Sequence, residues 1–131
     1  MTFENVDITN LIKAFSKFQE FRQNLTTEQE KAGAIHAFNY CFELIWEIMR
    51  KVLENRDKTA NSPKTVFRIA ALEGLIDDLE LWFDFLNMRN LIASAYYGKA
   101  AEKVVRIFPA YAEAMDEFLI KTNEPHRSST I

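Results

Sequence analysis

Residues 37–53, AFNYCFELIWEIMRKVL, decide the fold of this chain. Apolar side chains recur there every three or four positions, which is the spacing of one face of an α-helix. The members of that face are Phe38, Phe42, Ile45, Met49 and Val52. Leu44, Trp46 and Ile48 widen it beyond one stripe. The segment is therefore predicted to be a central helix that contacts several neighbours or a second subunit.

Similar periodicity on both sides predicts four further helices. Including the central one, they are expected over residues 8–24, from Thr27 to beyond Val52, from Pro63 to Gly74, from Asp77 to at least Arg89, and from Lys99 onward. The polar residues 55–62 break the pattern and should form the main loop. Pro109 should bend the last helix, because a proline cannot donate the hydrogen bond to the carbonyl of Val105.

Three helix starts carry recognisable caps. Thr27 and Glu30 have the spacing of a capping box. Ser62 precedes a proline that suits the first helical position. Asp77 with Glu80 is expected to cap the fourth helix, and this role explains the carboxylates at residues 77–80 better than a metal site does.

The composition favours the same architecture. A chain of 131 residues suits one domain, and 48% apolar residues with only three Gly and three Pro favour helices over turn-rich β structure. The prediction is an all-α fold, an antiparallel up-and-down four-helix bundle with one additional short helix. Residues 1–122 should form this single domain, and residues 123–131 should form a flexible C-terminal tail.

Charge and missing motifs exclude several function classes. A net charge of −3 argues against a protein that mainly coats nucleic acid. No phosphate-binding glycine loop, paired cysteines or common hydrolase motif occurs, so no cofactor and no metal are expected. Cys41 should be a buried thiol, which fits the cytoplasm, and residues 1–25 contain no apolar run that suits a signal peptide or a membrane span.

Arg89 is unusual because it continues an apolar helix face. Helical steps along the fourth helix lead from Trp82 through Leu86 to Arg89. A guanidinium directed at a packed interior needs an acceptor, and Glu43 on the central helix is one candidate. From the spacing alone, a structural ion pair at the end of the bundle is favoured over catalysis.

Three segments resemble the nucleotidyltransferase substrate-binding family within the HEPN superfamily of small helical bundles. The first is residues 37–53, with Phe, Glu and Trp on an aromatic helix. The second is SPKTVFRIAALEGLIDD, residues 62–78, and the third is LWFDFLNMRN, residues 81–90. The resemblance covers most of residues 8–120.

The hallmark of this family is Arg-Asn, three residues, His, one residue and Tyr. Arg89, Asn90 and Tyr96 match it, whereas Ser94 stands at the histidine position. In HEPN ribonucleases, the resemblance implies, Arg and His from two subunits converge at a dimer cleft and cleave RNA without a metal. An imidazole exchanges protons near neutral pH, which an unassisted serine hydroxyl does not. His36 and His126, the two histidines of the chain, are poor replacements, since one is expected on a helix surface and the other in the tail.

The resemblance implies a minimal nucleotidyltransferase as partner, a homodimer, and a nucleotide or RNA ligand. It also makes Tyr96 a candidate acceptor of AMP, although Tyr97 is adjacent. Glu43 and Trp46 are expected to support the site. Trp46 and Trp82 could form a surface on which a ligand stacks, although aromatic residues at core spacing usually fill the core.

Three functions remain open at this point. The preferred one is a non-catalytic partner subunit, and the second is a metal-independent RNA-cleaving toxin that is neutralised by a nucleotidyltransferase antitoxin. The third is a purely structural dimerisation module. Lys99, Lys103 and Arg106 are expected to form either a basic rim beside the hallmark or, more commonly for such residues, a solvated helix face.

Overall fold

Helix α2 (Glu28–Asn55) is the central element, as predicted, and it contacts all five other helices of the described residues. The structure is a computed structural model that describes residues 1–93 and 98–123. The elements that surround α2 are β1 (Thr2–Phe3), β2 (Val6–Asp7), α1 (Thr9–Phe21), α3 (Pro63–Leu72), α4 (Leu79–Ile92), α5 (Gly98–Arg106) and α6 (Phe108–Asn123). The fold is an all-α bundle. In the described ranges, no helix is both long and apolar enough to cross a membrane.

The caps of α2 and α3 are confirmed. The Thr27 hydroxyl accepts a hydrogen bond from the Glu30 amide at 3.0 Å, and the Glu30 carboxylate accepts one from the Thr27 amide at 2.8 Å. The bond from the Thr27 amide is the main reason that the pKa of Glu30 is lowered. Ser62 accepts a bond from the Thr65 amide at 3.3 Å. These local bonds satisfy amides that lack partners within the helix.

The predicted cap of α4 is wrong by one residue. Asp78, not Asp77, accepts a hydrogen bond from the Leu81 amide, at 3.1 Å. Asp77 instead forms an ion pair with Lys121 of α6, with the Nζ and Oδ1 atoms 2.8 Å apart. The capping aspartate is thus the residue directly before α4, while its neighbour pairs with a residue that is distant in sequence.

The predicted final helix is two helices. α5 ends at Arg106 and α6 begins at Phe108, so the chain interrupts the helix at Ile107, two residues before Pro109. The missing amide of Pro109 is the physical reason, because the carbonyl of Val105 loses its intrahelical donor. The first helix is also shorter than predicted, since it ends at Phe21. The predicted tail lies outside the described residues from residue 124 onward.

A two-stranded antiparallel hairpin precedes α1 and was not predicted. β1 pairs with β2 through a turn at Glu4 and Asn5, whose φ angles are 47° and 67°. Asparagine tolerates this left-handed region better than most residues do. Strands of two residues are too short to leave an alternating apolar pattern, so periodicity could not reveal them.

Arg56 connects the hairpin to the ends of α2 and α3. Its Nε donates to Glu4 Oε1 at 2.8 Å, and its Nη2 donates to Glu4 Oε2. Its Nη1 donates to the carbonyl oxygen of Glu73 at 3.1 Å. The hydrogen bond to Glu4 is the main reason that the pKa of Arg56 is raised. Arg56 thereby supplies positive charge at the carboxyl end of α2, where the helix dipole favours it.

The core is built around the Tyr111 ring of α6. Its centroid lies 4.8 Å from that of Phe38, 5.1 Å from that of Phe85 and 5.3 Å from that of Phe18. All three contacts are edge-to-face, which is a favoured geometry for aromatic pairs. Rings from α1, α2, α4 and α6 therefore meet at one point of the bundle.

The Tyr111 hydroxyl is buried next to the Cys41 thiol. It has no hydrogen-bond partner by distance and angle among the described residues. Burial raises the pKa of Cys41 to about 12 and raises the pKa of Tyr111 well above 10. Both groups stay protonated in the folded protein while the unfolded chain ionises at lower pH. Stability should therefore fall as the pH rises from about 9 toward 12.

Tyr111→Phe is expected to increase the free energy of unfolding by about 1 kcal/mol. The change keeps the ring contacts and removes a buried hydroxyl that has lost its bonds to water. Urea unfolding followed by circular dichroism at neutral pH would measure it. Tyr40→Phe is the matched control, since Tyr40 is 54% exposed and its substitution should leave stability nearly unchanged. A loss of stability in Tyr111→Phe would contradict an unsatisfied hydroxyl.

Candidate functional site

Arg89 lies on the core-facing side of α4. Trp82, Phe85 and Ile92 are buried on that side, and Arg89 falls between the last two at helical spacing. The sequence prediction chose this side correctly but centred it on Leu86, which is only half-buried, and missed Phe85. The Arg89 side chain keeps 30% of its surface exposed, so the guanidinium lies at the edge of the core.

Glu43 of α2 pairs with Arg89, as the sequence suggested. The Arg89 Nε donates to Glu43 Oε2 at 2.6 Å, and its Nη2 donates to Glu43 Oε1 at 2.9 Å. The Trp46 indole donates to the same Oε1 at 3.1 Å. Two parallel bonds hold the planar guanidinium against the carboxylate, and the indole fixes the carboxylate from its own helix.

A shallow pocket of about 440 Å³ opens on the outer side of this ion pair. Its lining is Asn39, Arg89, Asn90, Ile92 and Ala93. The Asn90 side-chain oxygen accepts a bond from Arg89 Nη1 at 3.2 Å. Asn39 was not predicted from the sequence. It lies four residues before Glu43 on α2, so helical spacing from that carboxylate could have found it.

The polar groups that line the pocket are suited to hydrogen bonding and not to acid–base chemistry. Three of the five N–H donors of Arg89 are used by Glu43 and Asn90, and the carboxylate balances the positive charge. A guanidinium does not exchange protons near neutral pH, and the two asparagine amides do not titrate. The described lining can hold a ligand by hydrogen bonds, but it contains no general base.

The remaining hallmark residues, Ser94 and Tyr96, lie outside the described residues. His36 is exposed on α2, and His126 also lies outside the described part of the chain. Trp82 is 2% exposed, which excludes it from any surface on which a ligand could stack.

Within residues 1–93 and 98–123, no group of His, Cys, Asp or Glu is arranged to hold a metal ion. Lys99, Lys103 and Arg106 are exposed on α5. They line a separate cleft with Lys31 of α2.

The Glu43–Arg89 pair should stabilise the fold by about 1–2 kcal/mol. Its two-bond geometry and partial burial place it above an exposed pair, which contributes less than about 1 kcal/mol. A double-mutant cycle with Glu43→Gln and Arg89→Met, read by urea unfolding, measures the coupling. The control cycle uses Lys17 and Glu20, an exposed pair with a single contact of 3.5 Å, and should give about 0.3 kcal/mol. Equal coupling in both cycles would contradict a special role for the Arg89 geometry.

Residues 6–124 match the family described as nucleotidyltransferase substrate binding protein like, and the chain belongs to that family. The relationship to the HEPN superfamily inferred from the sequence motifs is thereby supported.

Two relatives illustrate the similarity. The chain is 32% identical over 97 residues to a probable ribonuclease HepT from Haemophilus influenzae, a match that covers 70% of this chain and 62% of that relative's length. It is also similar to a crystal structure of a protein from Thermus thermophilus. That similarity has a TM-score of 0.80 and 27% identity, and it covers 87% of this chain and 99% of the other.

Proposed function

We propose that this chain is a non-catalytic partner subunit that associates with a minimal nucleotidyltransferase and holds the substrate of that enzyme. Membership of the nucleotidyltransferase substrate-binding family supports the partner. The observation that carries the non-catalytic part is the local chemistry of the hallmark. Arg89 is engaged by Glu43 and Asn90, and serine occupies the position at which the family pattern has its proton-transfer residue.

Co-expression tests this proposal directly. The untagged chain should co-purify with a tagged minimal nucleotidyltransferase and co-elute with it in size-exclusion chromatography. An unrelated tagged nucleotide-binding protein serves as the negative control. If no minimal nucleotidyltransferase from the same genome retains the chain, the partner assignment is wrong.

Tyr96 is our proposed acceptor if the partner transfers AMP to this chain. Incubation of the complex with ATP, followed by mass spectrometry of the peptide with residues 90–99, would locate the modification. Tyr96→Phe should abolish it and Tyr97→Phe should not. Modification that persists in Tyr96→Phe and disappears in Tyr97→Phe would move the acceptor by one residue.

An RNA-cleaving toxin that a nucleotidyltransferase antitoxin neutralises is the second candidate. The name of the Haemophilus influenzae relative, probable ribonuclease HepT, favours it. In that case the purified chain should cleave RNA without a metal, and Arg89→Ala should abolish cleavage. Cleavage by the wild-type chain that survives in Arg89→Ala would indicate a contaminating nuclease.

We also propose that the chain forms a homodimer and is located in the cytoplasm. The breadth of the apolar face on α2 is compatible with a second subunit, because Leu44 and Trp46 remain only half-buried. The free thiol of Cys41 fits a reducing compartment. Light scattering of the purified chain would measure its oligomeric state, and a monomer at all concentrations would exclude the dimer.

A further inference from the structure

A second cleft lies between the start of α2 and the length of α5. It has a volume of about 590 Å³. α2 contributes Glu28 and Lys31 to it, and α5 contributes residues from Gly98 to Arg106. The volume is in the range of pockets that bind nucleotide-sized molecules.

The sequence of α5 places its cations in a row. Ala101 and Val104 are buried against the bundle, which fixes the rotation of the helix. Lys99, Lys103 and Arg106 follow at spacings of four and three residues, so they share the side of the helix that lines the cleft. All three side chains are exposed.

The charge of the cleft is opposite in sign to that of the protein. Its lining has four cationic residues and two carboxylates, whereas the whole chain has a net charge of −3. Lys31 donates to Glu102 at 3.0 Å, and the same contact is the main reason that the pKa of Glu102 is lowered. Because Lys31 already pairs with Glu102, the three cations on α5 outnumber the carboxylates that remain in the lining.

The row is largely free to bind an external anion. Lys99, Lys103 and Arg106 form no ion pair within 4.0 Å with any residue that the structure describes. Glu102 lies close enough to Arg106 for their charges to interact. Lysine ammonium groups and an arginine guanidinium together suit phosphate oxygens, and a row of them suits successive phosphates.

We propose that the cleft between α2 and α5 binds the phosphate groups of a nucleotide or of a single RNA strand. Lys99, Lys103 and Arg106 contact the phosphates, and the Lys31–Glu102 pair joins α2 to α5 beside them. The site is distinct from the Arg89 pocket in its lining, and it does not require a nucleotidyltransferase partner. Its failure would therefore leave the co-purification result unaffected, and the reverse also holds.

Fluorescence anisotropy of a labelled single-stranded oligoribonucleotide tests the site on the full chain. Titrations between about 50 and 200 mM salt should give a slope of log K against log salt near −2 for three phosphate contacts. In Lys99→Gln/Lys103→Gln the slope should shrink to about −0.7, and affinity at low salt should fall at least about tenfold. Competition of ATP and of AMP with the labelled strand shows whether the cleft binds the phosphates of a nucleotide or those of an RNA strand.

A matched control carries the same loss of charge on another helix. Lys13→Gln/Lys17→Gln removes two lysines from α1 and should retain the wild-type slope and affinity. Circular dichroism checks that both double variants keep their helices. ATP that binds while the strand does not would still support the site and assign it to nucleotides.

Three results would overturn the proposal. One is the absence of binding to both the strand and ATP. Another is an equal loss of affinity in the α1 control, which would indicate attraction that depends only on total charge. The third is displacement of the probe by polyglutamate as readily as by ATP, which would assign the cleft to an acidic protein segment.

Discussion

Ser94→His should raise RNA cleavage by about 10²–10⁴-fold above the wild-type chain, whose rate is expected to stay at background. That range is the usual contribution of a positioned general acid or base. An imidazole at this position would restore the residue that exchanges protons at neutral pH. Arg89 and Asn90 are linked to each other at the end of α4 and match the family pattern, so the variant completes that pattern. Cleavage of a fluorogenic oligoribonucleotide in the presence of a chelator is the measurement.

Two further variants serve as controls for the effect of Ser94→His. Arg89→Ala introduced together with Ser94→His should return the rate to background, which separates site chemistry from contamination. Ser94→Gln provides a polar side chain that cannot titrate and should remain inactive. If Ser94→His stays inactive while its helicity and its partner binding are intact, the site differs from a ribonuclease in more than one residue.

Phe38→Ala should lower the free energy of unfolding by about 3–5 kcal/mol. The Phe38 side chain is fully buried and contacts the rings of Phe18, Phe42, Phe108 and Tyr111. Its removal leaves a cavity in the aromatic core, and the cost of such a cavity adds to the lost burial of the ring. Urea unfolding at neutral pH would measure the change.

Phe21→Ala is the matched control for that experiment. Phe21 is 46% exposed at the end of α1, so the same substitution should cost less than about 1 kcal/mol. Phe38→Leu, which conserves most of the volume, should fall between the two. If the two alanine variants are equally stable, the aromatic cluster does not stabilise the bundle as described.

Local signals in the sequence were sufficient for α2 and for the start of α3. The Thr27–Glu30 box and the Ser62–Pro63 start use atoms within three residues of one another, so spacing alone identified both. The periodicity of α2 identified the central helix for the same reason. Most of the bundle could therefore be predicted from neighbouring residues.

Features that depend on distant partners could not be predicted in this way. Asp77 pairs with Lys121 of α6, and Arg56 holds the hairpin through Glu4. The break at Ile107 was anticipated only as a bend, because a proline pattern does not state how far the helix is interrupted. The cap and the hairpin involve contacts between residues distant in sequence, whereas the break follows from the missing amide of Pro109.

In the candidate site, too, some residues could be predicted from the sequence and others could not. Arg89 and its partner Glu43 followed from one unexpected charge on an apolar face. Asn39 did not, because an asparagine on a half-buried helix surface is unremarkable until its neighbour across the pocket is known. Once the ion pair is located, the four-residue spacing from Glu43 identifies Asn39.

Because Trp46 donates a hydrogen bond to Glu43, the fluorescence of Trp46 should respond to changes at the Glu43–Arg89 ion pair. The indole of Trp46 is half-buried beside the ion pair, whereas Trp82 is enclosed in the core. A molecule that enters the pocket and disturbs Glu43 would change the emission of the first tryptophan and leave the second unaffected. Trp82→Phe would isolate that signal, so occupancy could be followed in real time without attaching a dye.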